Sequence, residues 1–240
     1  MALFRDEGIV LRTVKLGEAD RIVTLLTRGH GKVRAVAKGV RRVKSRFGSR
    51  VEPFMRCNML IAGGRSLDVI SQAALIAPYG GPICADYAAY EAASMMVETI
   101  DKLVSTEHEP VGAQYMLLVS ALHSLASHKH GAQVIGNSYV MRSLALAGWK
   151  PRTDSCVVCM RRDGLDYFSV AAGGVMCVDD HTPDSRYITL DERERLQALI
   201  DGDWKVLDGA ALPVGTRHLV EEWCEYYLER PIRSMKLQES

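Results

Sequence analysis

Over the first third of the chain, apolar positions come in short runs rich in Val, Ile, Leu and Thr, at residues 8–14, 21–27, 32–37, 54–61 and 67–75. Gly17, Gly29-His30-Gly31, Gly48-Ser49 and Gly63-Gly64 separate them, and such residues mark turns. Five short strands in about 75 residues predict a small barrel of the OB type, and an SH3-like barrel fits the same pattern. At Tyr79-Gly80-Gly81-Pro82 the pattern breaks, and the apolar period lengthens from two to about three and a half. Ala89, Ala93, Met96, Ile100 and Leu103 then fall on one helical face. A second helix is expected over 112–127, through Leu118, Leu122 and Leu125, and a third over 133–147, stopped by Gly148 and Pro151. Residues 154–183 read as loop, and two further helices are expected over 190–200 and 216–228. The fold class is therefore α+β. An OB barrel spans residues 1–80 and an all-α domain spans 81–240, into which a zinc-ribbon-like cysteine module is inserted at about 154–183.

Composition changes this picture little: with 48% hydrophobic and 25% charged residues the chain is an ordinary globular protein. Its start, MALFRDEGIV, has no apolar targeting core, and no stretch approaches the ~18 apolar residues of a membrane span. A cytoplasmic location with no membrane partner is expected. Only three of the six cysteines cluster, which suits a reducing compartment and not a disulfide framework.

Charge changes more. The net charge of +1 conceals +9 over residues 1–80 and −8 over the remainder. Such asymmetry points the first third toward a polyanion. No acidic residue lies between Asp20 and Glu52, whereas Arg21, Arg28, Lys32, Arg34, Lys38, Arg41, Arg42, Lys44, Arg46 and Arg50 all do. Alternation along residues 32–38 puts Lys32, Arg34, Val36 and Lys38 on one face and Val33, Ala35 and Ala37 on the other. The loop from Gly39 to Gly48 mixes cations with Ser45 and Phe47. Lysine and arginine serve phosphate, and an exposed Phe47 ring would stack on an unpaired base; the plainer alternative is a solvated loop with Phe47 tucked into the barrel. The candidate DNA-binding residues are Arg21, Lys32, Arg34, Lys38, Arg41, Arg42, Lys44, Arg46, Phe47 and Arg50. Neither a recognition helix nor a finger helix is evident, so binding is expected to be backbone-dominated and sequence-tolerant.

Cys156-Val157-Val158-Cys159 and Cys177 have the spacing of a zinc ribbon, whose fourth ligand belongs at position 180. Asp180 stands there, with His181 beside it as an alternative, and one structural zinc ion is expected. The cysteine pair does not follow a strand in a βαβ pattern, as a redox pair would. The H-x-E with P-C-x-x-C of a zinc deaminase is missing, and so is a phosphate-binding G-x-x-x-x-G-K-[ST] loop. His128-Lys129-His130 reads as a polar helix end, and Glu221, Glu222, Glu225 and Glu229 as a solvated helix face. A non-catalytic nucleic-acid-binding protein follows. The alternatives are an RNA-binding OB and zinc-ribbon protein, or a zinc-dependent hydrolase acting on nucleic acid.

Several fragments, in order, resemble the bacterial RecO recombination-mediator family: Gly17 to Thr27, Gly31, Ala37 to Arg41, Lys44 to Phe47, Glu52-Pro53-Phe54, Leu144 to Gly148 with Pro151, the spaced cysteines after Phe168-Ser169 and Gly173-Gly174, and the tail Tyr227-Leu228 to Arg233-Ser234. The resemblance implies binding of single- and double-stranded DNA, annealing of complementary strands, and loading of RecA recombinase onto DNA coated by single-strand-binding protein. It implies RecR and the C-terminal tail of single-strand-binding protein as partners, with RecA engaged indirectly. Where Asp180 stands, many members of that family have a fourth cysteine, and some lack the zinc site altogether.

Overall fold

A computed structural model describes residues 3–209 and 211–235. Five strands, β1 (Leu3–Leu16), β2 (Asp20–Thr27), β3 (Gly31–Ala37), β4 (Met55–Ala62) and β5 (Asp68–Pro78), form a closed barrel in the order β1-β2-β3-β5-β4. Closure is achieved by β1, which pairs antiparallel with β2 along one side and with β4 along the other. A fourteen-residue strand can serve two neighbours because it is bent at a bulge between Val10 and Arg12. The β3–β5 seam is parallel and short, with only Ala35↔Asp68 and Val36↔Val69 in register. Inward positions alternate as the pattern requires: Val10, Val23, Leu25, Val33, Ala35, Ala37, Met59, Ile61 and Ile70 are all buried in one core. The OB-type barrel of the sequence reading is thereby present, each strand within a few residues of its expected bounds.

After the barrel come α1 (Gly80–Ala85), α2 (Tyr87–Leu103) and α3 (Gly112–Ala126). Asp86 caps α2 by accepting from the Ala89 amide. The glycine- and proline-rich break at 79–82 is itself the start of helix α1, since proline is tolerated in a first helical turn, where its missing N–H has no partner to lose. These three helices belong with the barrel to one compact unit, Met1–Lys129; His130–Ser240 form a second.

Polar contacts join barrel to helices within the first unit. Lys32 of β3 pairs with Asp101 of α2 at 2.6 Å and donates to the Asp101 and Val104 carbonyls, and Arg12 of β1 reaches the same carboxylate at 2.7 Å. Glu7 accepts from Arg56 at 2.6 Å and from the buried Tyr115 hydroxyl of α3 at 2.7 Å. Gly31 lies against the loop between α2 and α3; at φ +62°, a Cβ there would stand 1.7 Å from the Glu109 carbonyl oxygen.

The second unit is built round α4 (Ala132–Leu146), buried along most of its length and packed against α5 (Leu190–Asp201) and α7 (Val214–Leu228); the short α6 (Trp204–Leu207) follows α5. A capping box of Thr189 and Glu192 starts α5, and Gly202 in the left-handed region ends it. The segment expected to be loop contains a small sheet, β6 (Tyr167–Ser169), β7 (Gly174–Met176) and β8 (Arg186–Tyr187), in the order β7-β6-β8. Strands of two or three residues are too short to show a period. No helix among the described residues is long and apolar enough to cross a membrane.

Burial alone would raise the Asp101 carboxyl, but the contacts from Lys32 and Arg12 hold it below the ordinary range. A depressed carboxylate stabilises the fold above its unfolded pKa, and that contribution is lost as pH falls through the folded value. Asp101→Asn is expected to cost about 3 kcal/mol near neutrality, because Lys32 loses its counter-charge in a half-buried site. Urea unfolding at a series of pH values should show the gap between variant and wild type closing as pH drops below about 4.

Candidate nucleic-acid interface and metal centre

Seventeen residues separate β3 from β4, and their local chemistry fixes which side chains face outward. At the start of the segment, the Gly39 amide donates to Asp20 Oδ1 at 2.7 Å and the Arg41 amide to the Ala19 carbonyl at 2.9 Å. At its end, Arg21 pairs with Glu52 through both carboxylate oxygens at 2.7 Å, and the Phe54 amide donates to Val10. Between these ties Val40, Phe47 and Val51 enter the barrel core, the last in a single 3-10 turn over Gly48–Val51. With three apolar anchors inside, the intervening side chains have only solvent to face. Lys38, Arg41, Arg42, Lys44, Arg46 and Arg50 are all exposed.

The ten sequence-predicted residues thus divide. Those six cations are brought together on one segment, and none of them makes an ion pair among the described residues; Arg41 and Arg50 donate only to the Gly17 and Arg46 carbonyls, and Arg46 lies over the Phe47 ring at 5.1 Å. Three others are engaged in the fold: Arg21 with Glu52, Lys32 with Asp101, and Arg34 with Glu107 at 3.5 Å. Phe47 is 1% exposed. Its ring fills the barrel as the plainer of the two expectations had it, and in this conformation offers no face to a base. The partners Asp101 and Glu107 lie some seventy residues along the chain from Lys32 and Arg34, and no local pattern links such positions. The anchoring roles of Val40 and Val51 were legible in principle, as apolar residues spaced through a basic loop.

In the second unit the cysteine module is shaped by its small sheet. Gly174, on β7, packs so closely on the backbone at Arg152 that a Cβ would stand 2.2 Å from the Arg152 carbonyl oxygen. The Val157 amide donates to Val175, which joins the first cysteine turn to β7. This brings Cys156, Cys159, Cys177 and Asp180 together, with one ligand atom of each within 4.8 Å of all the others. A tetrahedral ion bound at about 2.3 Å by sulfur and about 2.0 Å by oxygen requires sulfurs about 3.8 Å apart and sulfur–oxygen edges of about 3.5 Å. Cys159 Sγ lies 3.7 Å from Cys177 Sγ, and Cys156 Sγ lies 3.5 Å from Asp180 Oδ2; the Cys177 to Asp180 edge is shorter, 3.1 Å. These residues form a cluster with the dimensions of a metal site. Hydrogen bonding to Asp180 pushes the Cys159 thiol up to about 12, and the same contact holds the Asp180 carboxyl low. His181 is not brought in: its Nδ1 donates to the Val178 carbonyl at 2.8 Å and its ring stacks on Tyr167. Trp223, amid the acidic residues of α7, is buried against Phe168 and Tyr227 and donates to the Trp149 carbonyl.

Comparison with known proteins decides the family. The model for "Recombination protein O N terminal" matches residues 1–79 and that for "Recombination protein O C terminal" matches residues 84–236. "DNA repair protein RecO" of Bifidobacterium longum (strain NCC 2705) is 63% identical over 240 residues, covering all of both chains. The chain belongs to the RecO family. Proteins of the same name from Bifidobacterium animalis subsp. lactis and Streptomyces coelicolor are 56% and 46% identical, over 99% and 100% of both chains respectively. A RecO family member is a DNA-repair protein, a recombination mediator without catalytic activity, so the hydrolase alternative falls.

The burial of Phe47 gives a discriminating expectation. Phe47→Leu keeps an apolar anchor in the barrel and removes the aromatic ring, so affinity for single-stranded DNA, measured by fluorescence anisotropy, should stay within about twofold of wild type, with a stability loss of about 1 kcal/mol. A large loss of affinity with the fold retained would make the ring a base-stacking platform after all.

Proposed function

We propose that the barrel, residues 1–80, is the strand-binding domain of this RecO family member, and that it anneals complementary strands by neutralising their phosphates at its basic end. The observation that carries this reading is the outward display of Lys38, Arg41, Arg42, Lys44, Arg46 and Arg50 by the three apolar anchors. A positive surface lowers the repulsion between two backbones, and contacts confined to phosphate leave base edges free to pair. Single- and double-stranded DNA are both substrates for such a surface, and no covalent step is needed. Arg21, Lys32 and Arg34 support it from within the fold.

The partners follow from the family: RecR, the C-terminal tail of single-strand-binding protein, and RecA indirectly, all in the cytoplasm. In the second unit, three thiolates and a carboxylate suit zinc, which is borderline-soft and redox-inert. Cys156, Cys159, Cys177 and Asp180 are the residues that hold it. Bound zinc supplies folding energy and no chemistry, since each such ligand is contributed by a loop that packs little apolar surface of its own.

Six single-strand phosphate contacts give a slope of log K against log salt of about −4; removing four of the six leaves about −1.4. Arg41→Ala, Arg42→Ala, Lys44→Ala and Arg46→Ala combined should therefore flatten the salt dependence and abolish annealing of complementary oligonucleotides. Annealing at the wild-type rate would remove the assignment. Competition between single-stranded DNA and RNA of equal length is expected to favour DNA; a strong preference for RNA would support the RNA-binding alternative.

For the metal, elemental analysis should find about one zinc per chain. Asp180→Ala should release it at lower chelator concentrations than wild type, and stripping it should lower the thermal midpoint. A metal-free protein with the same midpoint would contradict the structural role.

A further inference from the structure

Outside the basic end, the barrel carries a concavity of about 240 Å³ on its outer surface, lined by Arg5, Asn58, Leu60, Gln72, Ala73 and Ala74. Its position follows from strand register. Arg5, Leu60 and Gln72 form one cross-strand row over β1, β4 and β5, and Asn58 stands opposite Ala74 in the next row. The pairing of β4 with β5 slips where Leu60↔Gln72 gives way to Ile61↔Ile70, which leaves Ser71 unpaired. A bulge bends a sheet and re-aims its side chains, and the exposed Ala74 near it leaves room that a larger residue would fill.

The polar groups facing this space have no partner within the described fold. The Arg5 guanidinium and the Asn58 and Gln72 amides are exposed and have no hydrogen-bond or ion-pair partner among the described residues. By contrast the adjacent Glu7 accepts from both Arg56 and Tyr115. A small apolar floor with a few converging polar groups is the general form of a ligand site. The volume is below that of pockets for whole cofactors or drug-sized molecules, about 300 Å³ and upward. Side-chain amides present a donor and an acceptor in one plane, which matches the edge of a nucleobase, while a guanidinium beside them suits a phosphate.

We propose that this concavity holds one unpaired base of a bound single strand. Asn58 and Gln72 hydrogen-bond its edge, Leu60 and Ala74 pack against its face, and Arg5 takes a neighbouring phosphate. The inference rests on the strand-binding reading and deepens it, by adding a contact to a base where the basic end contacts only backbone. A base held here is withheld from pairing until it leaves.

The test compares a single-stranded oligonucleotide with an abasic strand of the same length and charge, on wild type and on Asn58→Ala/Gln72→Ala. Wild type should prefer the base-bearing strand by about tenfold, the equivalent of 1.4 kcal/mol. The double variant should lose that preference and bind the abasic strand as wild type does, with an unchanged salt slope. Ala74→Leu, which fills the space without removing a polar group, should do the same. Undiminished discrimination by both variants, or none by wild type, overturns the pocket and leaves the basic end intact. Failure of wild type to bind either strand would instead bring down the strand-binding reading, and the pocket with it.

Discussion

The burial of Val40, Phe47 and Val51 in the barrel is the constraint from which the outward display of the basic segment follows. A segment carrying six like charges over thirteen residues, from Lys38 to Arg50, would repel itself into a solvated coil if it were merely tethered at its ends. Three anchors fix it against the core instead, and the hydrogen bonds from Gly39 and Arg41 to the β1–β2 turn set where it starts. Transfer of apolar area out of water thus offsets the electrostatic cost of crowding guanidinium and ammonium groups together. The hydrophobic residues of the loop do not contact nucleic acid in this reading; they determine the geometry in which the charged ones meet it.

Cations in the barrel have two fates, and partner position separates them. Arg21, Lys32 and Arg34 each find a carboxylate, from Glu52, Asp101 and Glu107. Lys32 is the extreme case, with its side chain 11% exposed and Asp101 at 16%. The Lys32–Asp101 pair links strand to helix, whereas Glu52 and Glu107 tie strands to connecting segments; such pairs specify packing better than they supply net stability. Six of the cations left without a carboxylate, from Lys38 to Arg50, stand together on one segment.

Much of this was legible in the sequence. Strand alternation gave all five barrel strands, because Val33, Ala35 and Ala37 face a core while Lys32 and Arg34 do not. The cysteine spacing identified the residues that gather in the second unit, since a two-residue gap suffices to turn two thiols to one point. The sequence could not show that Asp101 neutralises Lys32, which depends on how α2 crosses the barrel. Nor could it show the strands at Tyr167 and Gly174, whose pairing is set by contacts with Arg152 and not by any period. The concavity beside Asn58 was beyond reach for a similar reason: a one-residue slip between β4 and β5 is a property of the pairing, not of either strand alone.

The shared carboxylate of Asp101 has a consequence for how the molecule can be divided. It belongs to α2, yet both its cationic partners, Arg12 and Lys32, are barrel residues. A fragment ending where the first family match ends, at residue 79, would keep every strand and lose the group that neutralises two of them. Excision of the barrel therefore adds bare positive charge at a place where the intact protein has none. The helices that follow β5, in that sense, complete the charge balance of the barrel as much as they extend the chain.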